Sequence, residues 1–368
     1  MKKMFLMTAI ICFVTLICGC ENKMTAQKNI EVAEPEVDLV EEQLKTLTLE
    51  EKIGQMMFIG VHGKQLDADI KFMLDAYKVG GIIYYDRNMD TLEQVRNFSA
   101  ELQANSKIPL FISLDEEGGR VSRMKHALPP PPSQETVGAS GDYNLAKVHA
   151  VEIAKRLRDI GINLNFAPVA DVGNDERMFS SDSQVVAKFL SNAAQGYESE
   201  NFFYTLKHFP GIGQAKIDPH KDISVVDDSK DILEQRDILP FKKIISERDN
   251  SKFMVMIGHL KYSAIDNQNP ATLSKKIITD LLRNELNFQG VIITDDLEMG
   301  AVANYSDAEI GVQAVKAGAD ILLVCHEYSQ QRSVCDGVLD AVKRGEISEE
   351  RINESVRRIL RMKLHLQK

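Results

Sequence analysis

FFYTLKHFPGIGQAKIDPH, Phe202 to His220, joins a short run that is apolar on both faces to an irregular, charged loop. The first five residues read as a buried strand: aromatic and aliphatic side chains without polar alternation, in a run too short for a helix. The loop after it cannot be helical. Pro210 and Pro219 lack the backbone donor, and Gly211 and Gly213 admit angles that other residues avoid. The loop carries five ionisable side chains, Lys207, His208, Lys216, Asp218 and His220. Asp218 and His220 stand two residues apart. An extended backbone therefore puts both on one side, where the carboxylate can orient an imidazole that gives and takes protons at neutral pH.

Seven further runs repeat the pattern of an apolar strand, several with a polar end: MMFIGV, GGIIYYD, PLFISLD, INLNFAPVAD, FMVMIGH, GVIITDD and ADILLVC. A capping box at Thr48 and Glu51 precedes them. Between them lie stretches of helical period at 91–104, 144–159, 231–246, 274–287 and 307–317, and a final helix is expected over 348–366. Eight two-faced apolar strands alternating with helices predict an α/β fold, a closed (β/α)8 barrel of TIM type, as one catalytic domain over residues 45–368. An open doubly wound sheet is the alternative, but no G-x-G-x-x-G follows the first strand. A barrel places chemistry on the loops after the strands. Asp115, Asp171, Lys207, His208, His259, Asp295 and Asp296 all stand at such strand ends.

Three ordered motifs carry a resemblance: LDEEGGRVSR (114–123), KHFPGIGQAKIDPH (207–220) and ITDDLEM (293–299). Together they resemble glycoside hydrolase family 3, in its β-N-acetylglucosaminidase branch, from TLEEKIGQM at Thr48 to the last helix. The resemblance implies a retaining β-N-acetylhexosaminidase that releases terminal N-acetylglucosamine from peptidoglycan fragments or related oligosaccharides, with no cofactor and no metal. It implies Asp295 as nucleophile, His220 as acid/base catalyst and Asp218 as its orienting partner. It implies Asp115, Arg123, Arg177, Lys207 and His208 as sugar-binding residues. An imidazole in place of the second carboxylate of a retaining pair avoids setting another anion beside the glycosyl ester. The loop reads Ile212 and Pro219 where the family commonly has histidine and serine, and Pro219 stiffens it.

Other residues receive structural readings. Gly118 and Gly119 are expected to bend the chain between Asp115 and Arg123, while Glu116 and Glu117 are read as solvated charges. Asp296 points away from Asp295 in a strand and is expected to be structural or to cap the next helix, and His259 to line the site without doing chemistry. Pro129 to Pro132 read as a stiff surface loop. The alternatives are a family 3 glycosidase or phosphorylase of other sugar specificity, a metal-dependent barrel hydrolase using His208, Asp218, His220 and Asp295, and a non-catalytic sugar-binding lipoprotein.

The N-terminus, MKKMFLMTAIICFVTLICGC, has two lysines, an apolar run shorter than a membrane span and a small residue before Cys20. Ile17-Cys18-Gly19-Cys20 resembles the lipobox of bacterial lipoproteins. That implies a signal peptide over 1–19, a lipid on Cys20 and an exported protein anchored at a membrane of the cell envelope. Residues 20–44 are acidic and lack an apolar period, as a flexible tether would. The formal net charge is −10, and removing Lys2 and Lys3 would take it to −12, which argues against nucleic acid as a partner. Cys325 and Cys335 are expected to be buried and free rather than paired.

Overall fold

The computed structural model describes residues 38–212, 224–299 and 305–367. Its centre is an eight-stranded parallel barrel: β1 (Met57–Gly60), β2 (Gly81–Ile83), β3 (Phe111–Leu114), β4 (Leu164–Asn165), β5 (Phe203–Phe209), β6 (Phe253–Ile257), β7 (Val291–Thr294) and β8 (Leu322–Val324). Each strand falls within one of the eight apolar runs. Neighbours pair in chain order, with Ile59 opposite Ile82, Ser113 opposite Leu164 and Val291 opposite Met254. β8 pairs back onto β1, with Phe58 opposite Leu323. A bridge between Ile293 and Ile321, with Thr294 N–H donating to the Ile321 carbonyl at 3.1 Å, joins β7 to β8 and closes the ring.

Side chains fill the barrel as a core. Phe58, Phe111 and Phe203 are fully buried or nearly so, with successive ring centroids 5.7 and 5.6 Å apart. Each such burial is worth roughly 1.5–3 kcal/mol. Gly81 is required beside them, since a Cβ there would stand 2.7 Å from the Phe58 ring.

The helices form where caps and periodicity coincide. Thr48 and Glu51 make the expected capping box on Leu49–Gln55, and Ser306 and Glu309 make another on Asp307–Ala317. The single helix expected over 231–246 is instead two, Lys230–Gln235 and Leu239–Glu247. Pro240 is the reason: it fits the first turn of the second helix but not the interior of a continuous one. Lys276–Glu285 is wound as a π-helix within the expected 274–287 segment. Leu39–Thr46 is also a helix, capped by Asp38 and burying Val40 and Leu44, although these residues fall inside the stretch read as tether up to 44. Two apolar residues four apart give it a buried stripe, and it packs on the C-terminal helix Glu349–Lys363. Cys325 and Cys335 are buried and free. Among the described residues no helix is long and apolar enough to cross a membrane.

Candidate active site

A cavity of about 520 Å³ opens at the C-terminal ends of the barrel strands. Asp115, Arg123, Arg177, Lys207, His208, His259 and Asp295, widely spaced in sequence, all line it. Asp218 and His220, the expected acid/base pair, lie outside the described residues, as do Cys20 and the rest of the N-terminal segment to residue 37.

The densest part of the wall is a chain of alternating charges. Arg123 donates to Asp115 Oδ2 at 3.0 Å, and Lys207 Nζ to Asp115 Oδ1 at 2.7 Å. Lys207 also meets Glu117 Oε1 at 2.6 Å, and Glu117 accepts from Arg177 Nε and NH2 at 2.7 and 2.8 Å. Burial opposes ionisation of Asp115, yet Lys207 and Arg123 hold its carboxyl well below the usual range. Burial likewise opposes the charge on Lys207, but Asp115 and Glu117 beside it raise its pKa.

Glu116 and Glu117 are therefore not solvated charges; both are buried. They belong to a small hairpin, Glu116–Gly118 with Val121–Ser122, that follows β3. Gly118 and Gly119 turn it at φ of 98° and 57°, as expected, because a Cβ at Gly118 would come 2.2 Å from the Pro132 carbonyl oxygen. Glu116 accepts from the Ser122 hydroxyl at 2.5 Å and from the Arg123 N–H at 2.9 Å, which fixes the strand that delivers Arg123. The proline run buttresses this turn, since the Pro131 carbonyl receives the Gly119 N–H at 2.9 Å.

His208 is oriented by Asp171, which is fully buried in the segment that follows β4. His208 Nδ1 lies 2.8 Å from Asp171 Oδ2, so the carboxylate selects the Nδ1–H tautomer and leaves Nε2 for the cavity. The other oxygen, Oδ1, accepts the backbone N–H groups of His208 and Ile212 at 3.2 and 3.0 Å. Ile212, the last described residue before the segment that carries Asp218 and His220, is thus held by Asp171.

Asp295 follows β7 and accepts the Asp296 N–H at 2.8 Å. Burial would raise its pKa, but His208, His259 and that N–H together hold it below the ordinary aspartate value. Asp296 is structural, as expected: its Oδ1 accepts from Cys325 N–H and Glu298 N–H, both at 3.1 Å, tying β7 to β8. His259 donates Nε2–H to the Asp296 carbonyl at 2.8 Å and meets the Thr272 hydroxyl at 2.6 Å. Both ring nitrogens are committed, so it shapes the wall rather than meeting a ligand.

The residues missed as site components are Tyr85, Glu117 and His326; Asp171 stands on the expected rim, and what the sequence did not assign is its bond to His208. Tyr85 and His326 line the cavity after β2 and β8, and Arg123 stacks over the Tyr85 ring at 5.0 Å. Their strand-end positions were the available signal. Arg123 Nε is buried without a hydrogen-bond partner among the described residues. The donor atoms of Asp296, Glu298 and His326 lie within 4.8 Å of one another. There, however, Glu298 accepts the N–H groups of His326 and Glu327, and Asp296 serves β8. Of these carboxylate oxygens only Asp296 Oδ2 holds no backbone, and it faces His326 Nε2 at 3.3 Å.

The model of the glycosyl hydrolase family 3 N-terminal domain matches residues 48–362. A beta-hexosaminidase of Stenotrophomonas maltophilia is 36% identical over 283 residues, 74% of this chain and 83% of that protein. Beta-hexosaminidase A of Pseudoalteromonas piscicida is 31% identical over 82% of this chain, which spans 56% of that protein's length. The structure of a glycoside hydrolase family 3 β-N-acetylglucosaminidase from Paenibacillus superposes with a TM-score of 0.84 at 38% identity, covering 87% of this chain and 62% of that one.

Proposed function

The chain belongs to glycoside hydrolase family 3, and from that membership and the rim geometry we propose that it is a retaining β-N-acetylhexosaminidase releasing terminal N-acetylglucosamine. The observation that carries the proposal is Asp295, an ionised carboxylate in the wall of the same cavity as Asp115, Arg123, Arg177, Lys207 and His208. Carboxylate oxygens accept sugar hydroxyls, and the cations donate to hydroxyl or acetamido oxygens. Asp295 attacks the anomeric carbon as the bond to the leaving oxygen breaks, giving a glycosyl ester. His220, oriented by Asp218, gives its proton to the leaving oxygen, then takes one from the water that cleaves the ester. One domain, 45–368 with the helix from Leu39 added, would do this work.

The proposed setting is the bacterial cell envelope, with residues 1–19 a signal peptide, a lipid on Cys20 and the acidic segment a tether. The lipobox-like Ile17-Cys18-Gly19-Cys20 supports this, and peptidoglycan fragments would be the substrate at hand. Mass spectrometry of the mature N-terminus tests it, and an unprocessed Met1 would refute it. The activity is tested with the full chain, a chromogenic β-N-acetylglucosaminide and a β-glucoside, with and without phosphate. Release from the acetamido substrate alone, abolished in Asp295→Ala and severely reduced in His220→Ala, is expected. Undiminished release by Asp295→Ala would overturn the mechanism, and a sugar phosphate product would make the enzyme a phosphorylase.

A further inference from the structure

Donor and acceptor accounting separates the two carboxylates of the clamp. Asp115 spends one bond on each oxygen, to Lys207 and to Arg123, and its side chain is 15% exposed in the cavity wall. Each oxygen therefore has a lone pair left for a sugar hydroxyl. Glu117 is different. Its Oε1 is filled by Lys207 and Arg177 NH2, and its Oε2, which accepts from Arg177 Nε, is kept from a ligand by burial, the side chain being 1% exposed.

Lys207 has three N–H donors, of which two are spent on Asp115 and Glu117. Arg177 spends its Nε and NH2 edge on Glu117, which leaves NH1 uncommitted among the described residues. Both cations thus keep a donor, whose direction is set by Glu117 in Arg177 and by Glu117 together with Asp115 in Lys207. The two positive charges sit within bonding distance of one carboxylate and repel each other, so without the anion they separate.

We propose that Glu117 is the positioning residue of the sugar clamp: it does not touch the saccharide, but fixes Lys207 Nζ and the Arg177 guanidinium so that their remaining donors converge on one sugar ring. The inference rests on the glycosidase reading for the identity of the ligand, and not for the geometry. The hairpin that carries Glu117 is independently braced by Glu116 and by the Gly118–Gly119 turn, so a change of charge at 117 acts on the cations first.

Two measurements on the full chain test it, each with wild type, Glu117→Gln and the shorter Glu117→Asp, and with circular dichroism to verify the fold. The first needs no sugar: the side-chain ammonium of Lys207 is followed by NMR as pH rises. In Glu117→Gln its deprotonation is expected at least about one pH unit lower, with Glu117→Asp between the two. An unmoved titration overturns the proposal whether or not the protein is a glycosidase. The second is steady-state hydrolysis. KM for the β-N-acetylglucosaminide is expected to rise about tenfold or more in Glu117→Gln with a smaller fall in kcat, and the affinity for free N-acetylglucosamine to fall in parallel. A folded variant with wild-type KM overturns the positioning role. Wild type that neither hydrolyses nor binds the acetamido sugar would sink the glycosidase reading, while the ammonium titration still decides the role of Glu117.

Discussion

Lys363, at the floor of the barrel opposite the cavity, is expected to make stability climb with pH across the neutral-to-alkaline range. Its side chain is buried, and among the described residues no charged partner offsets that burial. Nζ donates to Gln55 Oε1 at 2.7 Å and to the Gly80 carbonyl at 2.8 Å, and it lies 5.3 Å from the centre of the Phe111 ring. A neutral amine has two N–H groups and satisfies both oxygens; the third proton of the ammonium faces only the ring. Burial pushes the pKa down from 10.5 to about 7. At 1.36 kcal/mol per unit, that shift makes burial of the charged form cost ~5 kcal/mol. Below pH 7 both folded and unfolded states are protonated, and the whole cost is borne. Between 7 and 10.5 only the unfolded state holds the proton, so stability rises with pH. Urea unfolding of wild type and Lys363→Met, compared at pH 6.5 and 9.5, should show wild type gaining ~3 kcal/mol on the variant over that interval. Met leaves Gln55 Oε1 without its partner, an offset that is the same at both pH values and cancels from the comparison. A difference between the two proteins that stays flat with pH would refute the reasoning, because the two carbonyls and the ring would then hold the ammonium as well as water does.

A second buried charge behaves oppositely. Asp320 is fully buried and accepts from Arg283, Arg358 and Ser355 at 2.7 to 3.0 Å, so Asp320→Asn should cost about 3–5 kcal/mol in urea unfolding at pH 7 by stranding the guanidinium groups. Burial resists ionisation of Asp320 but the arginines prevail and its pKa is lowered, so this stability is present above the ordinary aspartate value and lost as pH falls through the folded one; a loss below 1 kcal/mol would count against the pairing. At the rim, Asp171→Asn removes the anion that fixes the His208 tautomer, and kcat/KM should fall about 10- to 100-fold with the circular dichroism spectrum unchanged. Unaltered kinetics would show that His208 needs no orienting partner.

The barrel was legible because its signal is redundant. Eight apolar runs each had to be short, two-faced and followed by a helix, and misreading one would not have changed the architecture. Boundaries were less legible where one residue outweighs the period. Pro240 divides a stretch whose apolar spacing reads as one helix, and Val40 with Leu44 gives a short buried stripe to a segment whose composition is that of a tether. Composition averages over a window, whereas burial is decided by two side chains meeting the C-terminal helix.

The candidate site shows the same division between position and partner. Strand ends pointed to Asp115, Lys207, His208 and Asp295, since a barrel leaves little choice of where polar side chains emerge. Asp171 was placed on that rim without its partner, and Glu117 was read as solvated, because pairing is not written in spacing alone. Yet part of it was available. Asp115 and Glu117 stand two apart, the same relation that puts Asp218 and His220 on one side of an extended chain, so a hairpin continuing β3 brings both carboxylates to one face and turns Glu116 to the other. Charge balance pointed the same way. Arg123, Arg177 and Lys207 reach one cavity wall, and three cations within a largely buried surface require acids close beside them, which Asp115 supplies to Arg123 and Lys207 but not to Arg177. The acid on that face of the strand is Glu117, and its burial follows from pairing with Arg177 and Lys207 at once.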